Sequence, residues 1–112
     1  MRIEVRGRNV AVDDGLREHA ERRFEKIARQ VSPLARLELE LSEERNPSIR
    51  ASQVAAATLS LKGVTLRARD SSEDLSRSIN LVADELGRQV KRHRDKRRRR
   101  RGGEVEPRPA TP

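Results

Sequence analysis

The residues of this chain best placed to do chemistry are its cations. Residues 88–101 read RQVKRHRDKRRRRR, in which Arg88, Lys91, Arg92, Arg94, Lys96 and Arg97 to Arg101 supply ten positive charges against one acid, Asp95. The formal net charge of the 112 residues is +8, so everything outside this window is close to neutral. A neutral body with a cationic prong points to a dense polyanion as partner, because Lys and Arg that neutralise phosphates release condensed counterions. Many basic runs are only solvated tails. This one begins inside a helical pattern, which a mere tail would not do.

Other chemistries find little support. His19 and His93 are the only histidines, and they fall on different helices. Ser71 or Ser76 could be drawn into a triad with His93 and an Asp, but no nucleophile elbow or oxyanion loop surrounds them, and helix capping accounts for Ser71. Asp13-Asp14 and Glu43-Glu44 read as a helix cap and a solvated loop rather than metal carboxylates. There is no Cys, so disulfides and thiolate metal sites are excluded. No Gly-rich phosphate loop is present. The chain therefore reads as a protein without catalysis, metal or cofactor. Phe24 is the sole aromatic residue, which excludes recognition by stacking bases on aromatic platforms. A nucleic acid would be read through phosphate and shape. No run approaches the apolar length of a membrane span, and no signal-peptide pattern opens the chain, so a soluble cytoplasmic protein is expected.

The elements that must position the cations follow from periodicity. Arg2 to Arg6 alternates polar and apolar residues, the pattern of a strand with one buried face, and Gly7 to Asn9 then turns the chain. Asp13 or Asp14 can cap a helix whose stripe is Leu16, Ala20, Phe24, Ile27, Ala28 and Val31, ending before Pro33. A second strand spans about 34–42 on the alternation of Leu37, Leu39 and Leu41, and residues 43–52 form a polar loop around Asn46-Pro47. Residues 53–61 and 64–69 flank Lys62-Gly63 and read as a hairpin, despite the helix-favouring Ala55, Ala56 and Ala57. Ser71 with Asp74 matches a capping box before the stripe Leu75, Ile79, Val82, Leu86 and Val90. No breaker follows until Gly102-Gly103, so the last helix should outrun the sheet, and residues 102–112 read as a disordered tail. The order β-α-β-β-β-α predicts an α+β fold, a four-stranded sheet with two helices packed on one face.

On that fold the cations fall on one side. Arg22, Lys26 and Arg29 lie opposite the apolar stripe of the first helix, and Arg88, Arg92 and Arg99 lie opposite that of the second. Arg23, Lys91 and Arg94 flank them. Glu18 and Glu25 stand four residues before Arg22 and Arg29, so ion pairing alone can explain those two arginines. It cannot explain the basic run of the second helix, where Asp95 is the only acid.

Three segments, GRNVAVDDGLREHAERRFEKI, LSLKGVTLRARDSSEDL and INLVADELGRQVKRHRDK, together resemble the ribosome hibernation-promoting factors, also called ribosome-associated translation inhibitors or ribosomal subunit interface proteins. The resemblance covers residues 1–96, leaving 97–112 as a basic helix end and tail. It implies a domain topologically similar to double-stranded RNA-binding domains, bound to the rRNA of the small ribosomal subunit where mRNA and tRNA would lie, and monomeric when free. Arg23, Lys26, Arg29, Arg88, Lys91 and Arg92 match basic rRNA-facing positions of the family, and Arg94 and Lys96 continue the pattern. The chain resembles the short form, which is not expected to join two ribosomes by itself. Leu75-Ser76 stands where family members often carry Met-Tyr, and the Arg97 to Arg101 pentad exceeds the family's usual charge. Two other readings use the same residues: a stand-alone duplex RNA- or DNA-binding module, and a regulator of an acidic protein partner, as suggested for this family with a sigma factor.

Overall fold

A computed structural model describes residues 1–45 and 50–105, with side chains as far as residue 97. Its elements are β1 (Arg2–Arg8), α1 (Asp14–Ala28), β2 (Arg36–Glu43), β3 (Gln53–Leu61), β4 (Val64–Ser72) and α2 (Leu75–Val105). The four strands form one sheet in the order β1-β2-β3-β4. β1 runs parallel to β2, and the other two pairings are antiparallel. This is the α+β architecture that the sequence predicts.

Strand β1 runs two residues further than its alternation suggests. A Cβ on Gly7 would sit 2.4 Å from the carbonyl oxygen of Val10, so glycine is what lets the returning chain cross the strand end. The turn is made by Asn9, which adopts φ +59°. Its side-chain amide donates to the Glu43 carbonyl (3.0 Å) and accepts from the Glu43 N–H (2.9 Å), adding a side-chain rung to the β1–β2 ladder. At the hairpin, Gly63 takes φ +80°, a conformation that glycine enters without steric cost.

The core lies between the sheet and the two helices. Leu37, Leu39 and Leu41 of β2 are buried against Phe24 and Ile27 of α1 and Ile79, Val82, Leu86 and Val90 of α2. Ala55, Ala57 and Leu59 are the inward residues of β3, and the small side chains of the two alanines suit a thin interface. Strand pairing there overrides the helical propensity of the alanine run, because β3 is hydrogen-bonded to a neighbouring strand along both of its edges.

The start of α2 differs from the expected capping box. Ser71 lies within β4, and the cap is Asp74, whose Oδ1 accepts from the Ser76 N–H at 3.1 Å. Ser72 and Ser78 are instead the buried polar pair beneath it, with their hydroxyl oxygens 2.7 Å apart. Ser78 Oγ donates to the Gln53 carbonyl (2.6 Å), and Ser72 Oγ accepts from the Asp74 N–H (3.2 Å). These bonds tie the helix start to β3 and β4.

The far end also differs. α2 continues through Gly102-Gly103 to Val105, because glycine weakens a helix by about 1 kcal/mol without removing a donor, whereas proline removes one. Residues 106–112, the rest of the expected tail, lie outside the described residues. Val90 is the last stripe residue in the core, so α2 extends roughly 22 Å past it at 1.5 Å per residue. The radius of gyration of 17.0 Å reflects this arm, since a compact chain of similar length has about 13 Å.

Two stability measurements check these assignments. Leu86→Ala removes a fully buried side chain and is expected to cost about 2–5 kcal/mol in denaturant unfolding. Asp74→Ala is expected to cost about 0.5–2 kcal/mol as a lost cap, and Ser71→Ala no more than about 0.5 kcal/mol. The reverse order would restore Ser71 as the cap.

Candidate nucleic-acid interface

The two helices lie side by side and parallel. His19 Nε2 meets Asn80 Oδ1 at 2.8 Å, and one turn later Arg23 donates to Asp84 at 3.1 Å; both pairs are 61 residues apart in sequence. A constant offset means that the helices advance in step. Their positive dipole ends are therefore neighbours, and acids compensate there: Asp13 caps α1 through the Leu16 N–H, and Glu73 and Asp74 precede α2. Further along the pair the charge reverses.

Between the helices runs a groove of about 600 Å³ lined by Arg22, Arg23 and Lys26 of α1 and by Arg88, Lys91 and Arg94 of α2, with Gln30, Asp84 and Gly87 beside them. Six of the nine cations expected at a binding surface are thus brought into one concavity. The other three lie outside it. Arg29 is exposed and paired with Glu25 at 2.8 Å, Arg92 is exposed and 3.8 Å from Glu85, and Lys96 is exposed on the projecting part of α2. Arg99, expected on the same outer face, lies outside the residues whose side chains are described.

Pairing with acids divides the cations. Arg29 closes the bridge to Glu25 that its spacing suggests. The corresponding bridge from Arg22 to Glu18 is not made; Arg22 faces the groove instead. Among the described residues Arg22, Lys26, Lys91, Arg94 and Lys96 have no ion pair. Arg23 and Arg88 do, with Asp84 and Glu85; Arg23, Asp84 and Arg88 are exposed and Glu85 is half-buried. Such pairs contribute only about 0–1 kcal/mol each, so a phosphate can replace the carboxylate at little cost.

Glu85 corrects the expectation that Asp95 alone opposes the cations of the second helix. It accepts from Gln89 Nε2 at 3.1 Å and from Arg88 at 2.9 Å, and these bonds hold its carboxyl below the usual carboxylate range, with the charges of Arg88 and Arg92 reinforcing them. Gln89 also donates to the Arg67 carbonyl at 2.7 Å, anchoring this turn of α2 to β4. The three-, four- and seven-residue spacings from Glu85 to Arg88, Gln89 and Arg92 are visible in the sequence. Asp84 has no such signal, because its partner is distant along the chain.

The opposite face of the sheet is built differently. Arg36, Arg67 and Arg69 are exposed there, but Glu38 and Glu40 stand in the same rows, Glu38 level with Thr58 and Arg67, and Glu40 level with Ala56 and Arg69. Alternating signs produce little net field. Among the described residues no group of three His, Asp or Glu side chains is placed to hold a metal ion, and no helix is long and apolar enough to cross a membrane.

Known proteins share this fold and much of this sequence. A ribosome hibernation promotion factor of Picosynechococcus sp. is 30% identical over 97 residues, covering 86% of this chain and 50% of the relative, so the chain spans about half that protein's length. A ribosome hibernation promoting factor of Azotobacter vinelandii is 28% identical over 104 residues, covering 93% of this chain and 92% of the relative. Among solved structures, the N-terminal domain of Protein Y from Thermus thermophilus superposes with a TM-score of 0.72 at 26% identity, over 83% of this chain and 99% of that one. A ribosomal subunit interface protein from Coxiella burnetii shares the fold, with a TM-score of 0.70 at 19% identity over 85% of this chain and 99% of that one. The profile of one family matches residues 3–98, nearly all of the folded body with its paired helices, and the chain belongs to that family, the Sigma 54 modulation protein / S30EA ribosomal protein family.

Proposed function

We propose that this protein binds the small ribosomal subunit through the basic groove and outer faces of α1 and α2, and that it inhibits translation by occupying the mRNA/tRNA channel. The observation that carries this reading is the convergence of six cations from two helices on one groove, five of them at exposed positions that phosphate oxygens can reach. The names of the relatives, ribosome hibernation promoting factors and a ribosomal subunit interface protein, support rRNA as the polyanion. The activity is steric: a rigid body held by phosphate contacts excludes mRNA and tRNA without making or breaking a covalent bond. Such a protein works in the cytoplasm, where ribosomes are. A generic duplex binder would use the same cations, and a preference for intact small subunits over an equal concentration of duplex RNA separates the two.

The salt dependence of binding checks the electrostatic part. If about six cations meet phosphates, log K falls with log salt at a slope of roughly −4 to −5. A flat response between about 50 and 300 mM salt would remove the mechanism.

Charge reversal checks the location. Arg88→Glu with Arg92→Glu alters two exposed positions outside the apolar stripe, so the fold is expected to persist by circular dichroism while small-subunit binding and inhibition of a cell-free translation assay are lost. Arg67→Glu with Arg69→Glu should weaken both far less. Equal losses from the two double variants would place binding on neither face specifically.

Glu85 offers a test in the other direction. Glu85→Gln releases Arg88 and Arg92 from a competing carboxylate, and affinity for small subunits is expected to rise up to about fivefold, the equivalent of one exposed ion pair. Because the folded-state pKa of Glu85 is depressed below its ordinary 4.5, its pairing is fully present above that value and is lost only as pH falls through the lower one. Wild-type affinity should therefore not change through this group between about pH 6 and 8. A loss of affinity in the variant would show that Glu85 positions the arginines for RNA instead of competing for them.

A further inference from the structure

We propose that the groove between α1 and α2 is a seat for consecutive phosphate groups, kept open by the absence of a side chain at Gly87. This deepens the ribosome reading and rests on it only where RNA supplies the phosphates; a free oligophosphate has the same chemistry.

Gly87 sits in the middle of α2, where glycine is a poor helix former. Nothing in the fold requires it. Its φ is not positive, and a Cβ built at this position meets no atom within 4 Å, so neither backbone conformation nor close packing against α1 explains the glycine. What a side chain would do is occupy the groove, since Gly87 is part of its lining. The cations around it are also uneven in their pairing: Arg23 is held by Asp84 and Arg88 by Glu85, while Arg22, Lys26, Lys91 and Arg94 have no ion pair among the described residues. Arg94 adds an independent sign. It lines the groove, and its Nε is buried without a hydrogen-bond partner, so the fold leaves this guanidinium incompletely satisfied. Donors on both walls, a bare floor and an unsatisfied guanidinium nitrogen suit a ligand whose oxygens accept bonds along its whole length. Phosphate chains have that property, and a lone carboxylate does not.

Gly87→Gln tests this in the full chain without altering its charge. The substitution adds a neutral, helix-favouring side chain in open space, so the thermal midpoint should hold or rise. Binding of inorganic tripolyphosphate by titration calorimetry, and of small subunits by sedimentation, are then compared with wild type. The expected result is at least a tenfold loss of the tripolyphosphate site. If subunit binding falls in parallel, the RNA backbone fills the groove; if it is unchanged, the seat serves a free oligophosphate, and the ribosome is held by the outer faces. Tripolyphosphate binding at wild-type strength in the variant overturns the proposal, because a merely electrostatic surface is indifferent to a neutral side chain. Wild-type protein that binds tripolyphosphate in a Gly87-dependent way but not small subunits would sink the ribosome reading and leave the groove standing.

Discussion

The parallel, in-step packing of α1 and α2 is the constraint on which the rest of the structure depends. Once His19 is fixed against Asn80 and Arg23 against Asp84, every later residue of one helix has an assigned neighbour on the other. Lys26 then comes beside the turn that carries Arg88 and Lys91, and a groove forms where neither helix alone would have one. The sheet enforces the arrangement from below through the small inward residues Ala55 and Ala57 and the leucines of β2. Like charges brought together in this way repel, and their assembly is tolerated because nearly all are exposed to water, with Asp84 and Glu85 interposed.

The same packing creates a polarity along the helix pair. Acidic residues gather at the neighbouring N-termini, where the dipoles are positive, and basic residues gather farther along. A polyanion approaching this surface is repelled at one end and attracted at the other, which sets its orientation as well as its affinity. The opposite sheet face, with Glu38 and Glu40 in rows with Arg67 and Arg69, lacks such a gradient. Distribution of charge, more than its total, distinguishes the two surfaces.

Much of this was legible in the sequence, and the reasons are local. The leucine alternation of β2, the stripe from Leu75 to Val90 and the Lys62-Gly63 turn each report a period or a conformation through neighbouring residues, so the order of elements could be read directly. The side of the cations followed from helical geometry. What could not be read depended on contacts between distant segments. Asp84 meets Arg23 only because the helices are parallel, and the cap moved from Ser71 to Asp74 because Ser72 and Ser78 are drawn inward to the Gln53 carbonyl. Glu85 lies three residues before the densest basic run, and only its helical spacing to Arg88 and Arg92 marks it as their partner. Gly87 shows the limit in another form: in sequence it is a weak point of a helix, and only the space beside it suggests a use.

The central claim is that one face of this molecule, the helix pair, meets the ribosome. Arginine-specific dicarbonyl modification of the full chain, read by mass spectrometry with and without saturating small subunits, tests it at many positions in one experiment. Protection of Arg22, Arg23, Arg88 and Arg94, with Arg2, Arg36, Arg67 and Arg69 remaining reactive, is the result this account predicts. Protection of the sheet arginines, with those of the helices still open to the reagent, would contradict it.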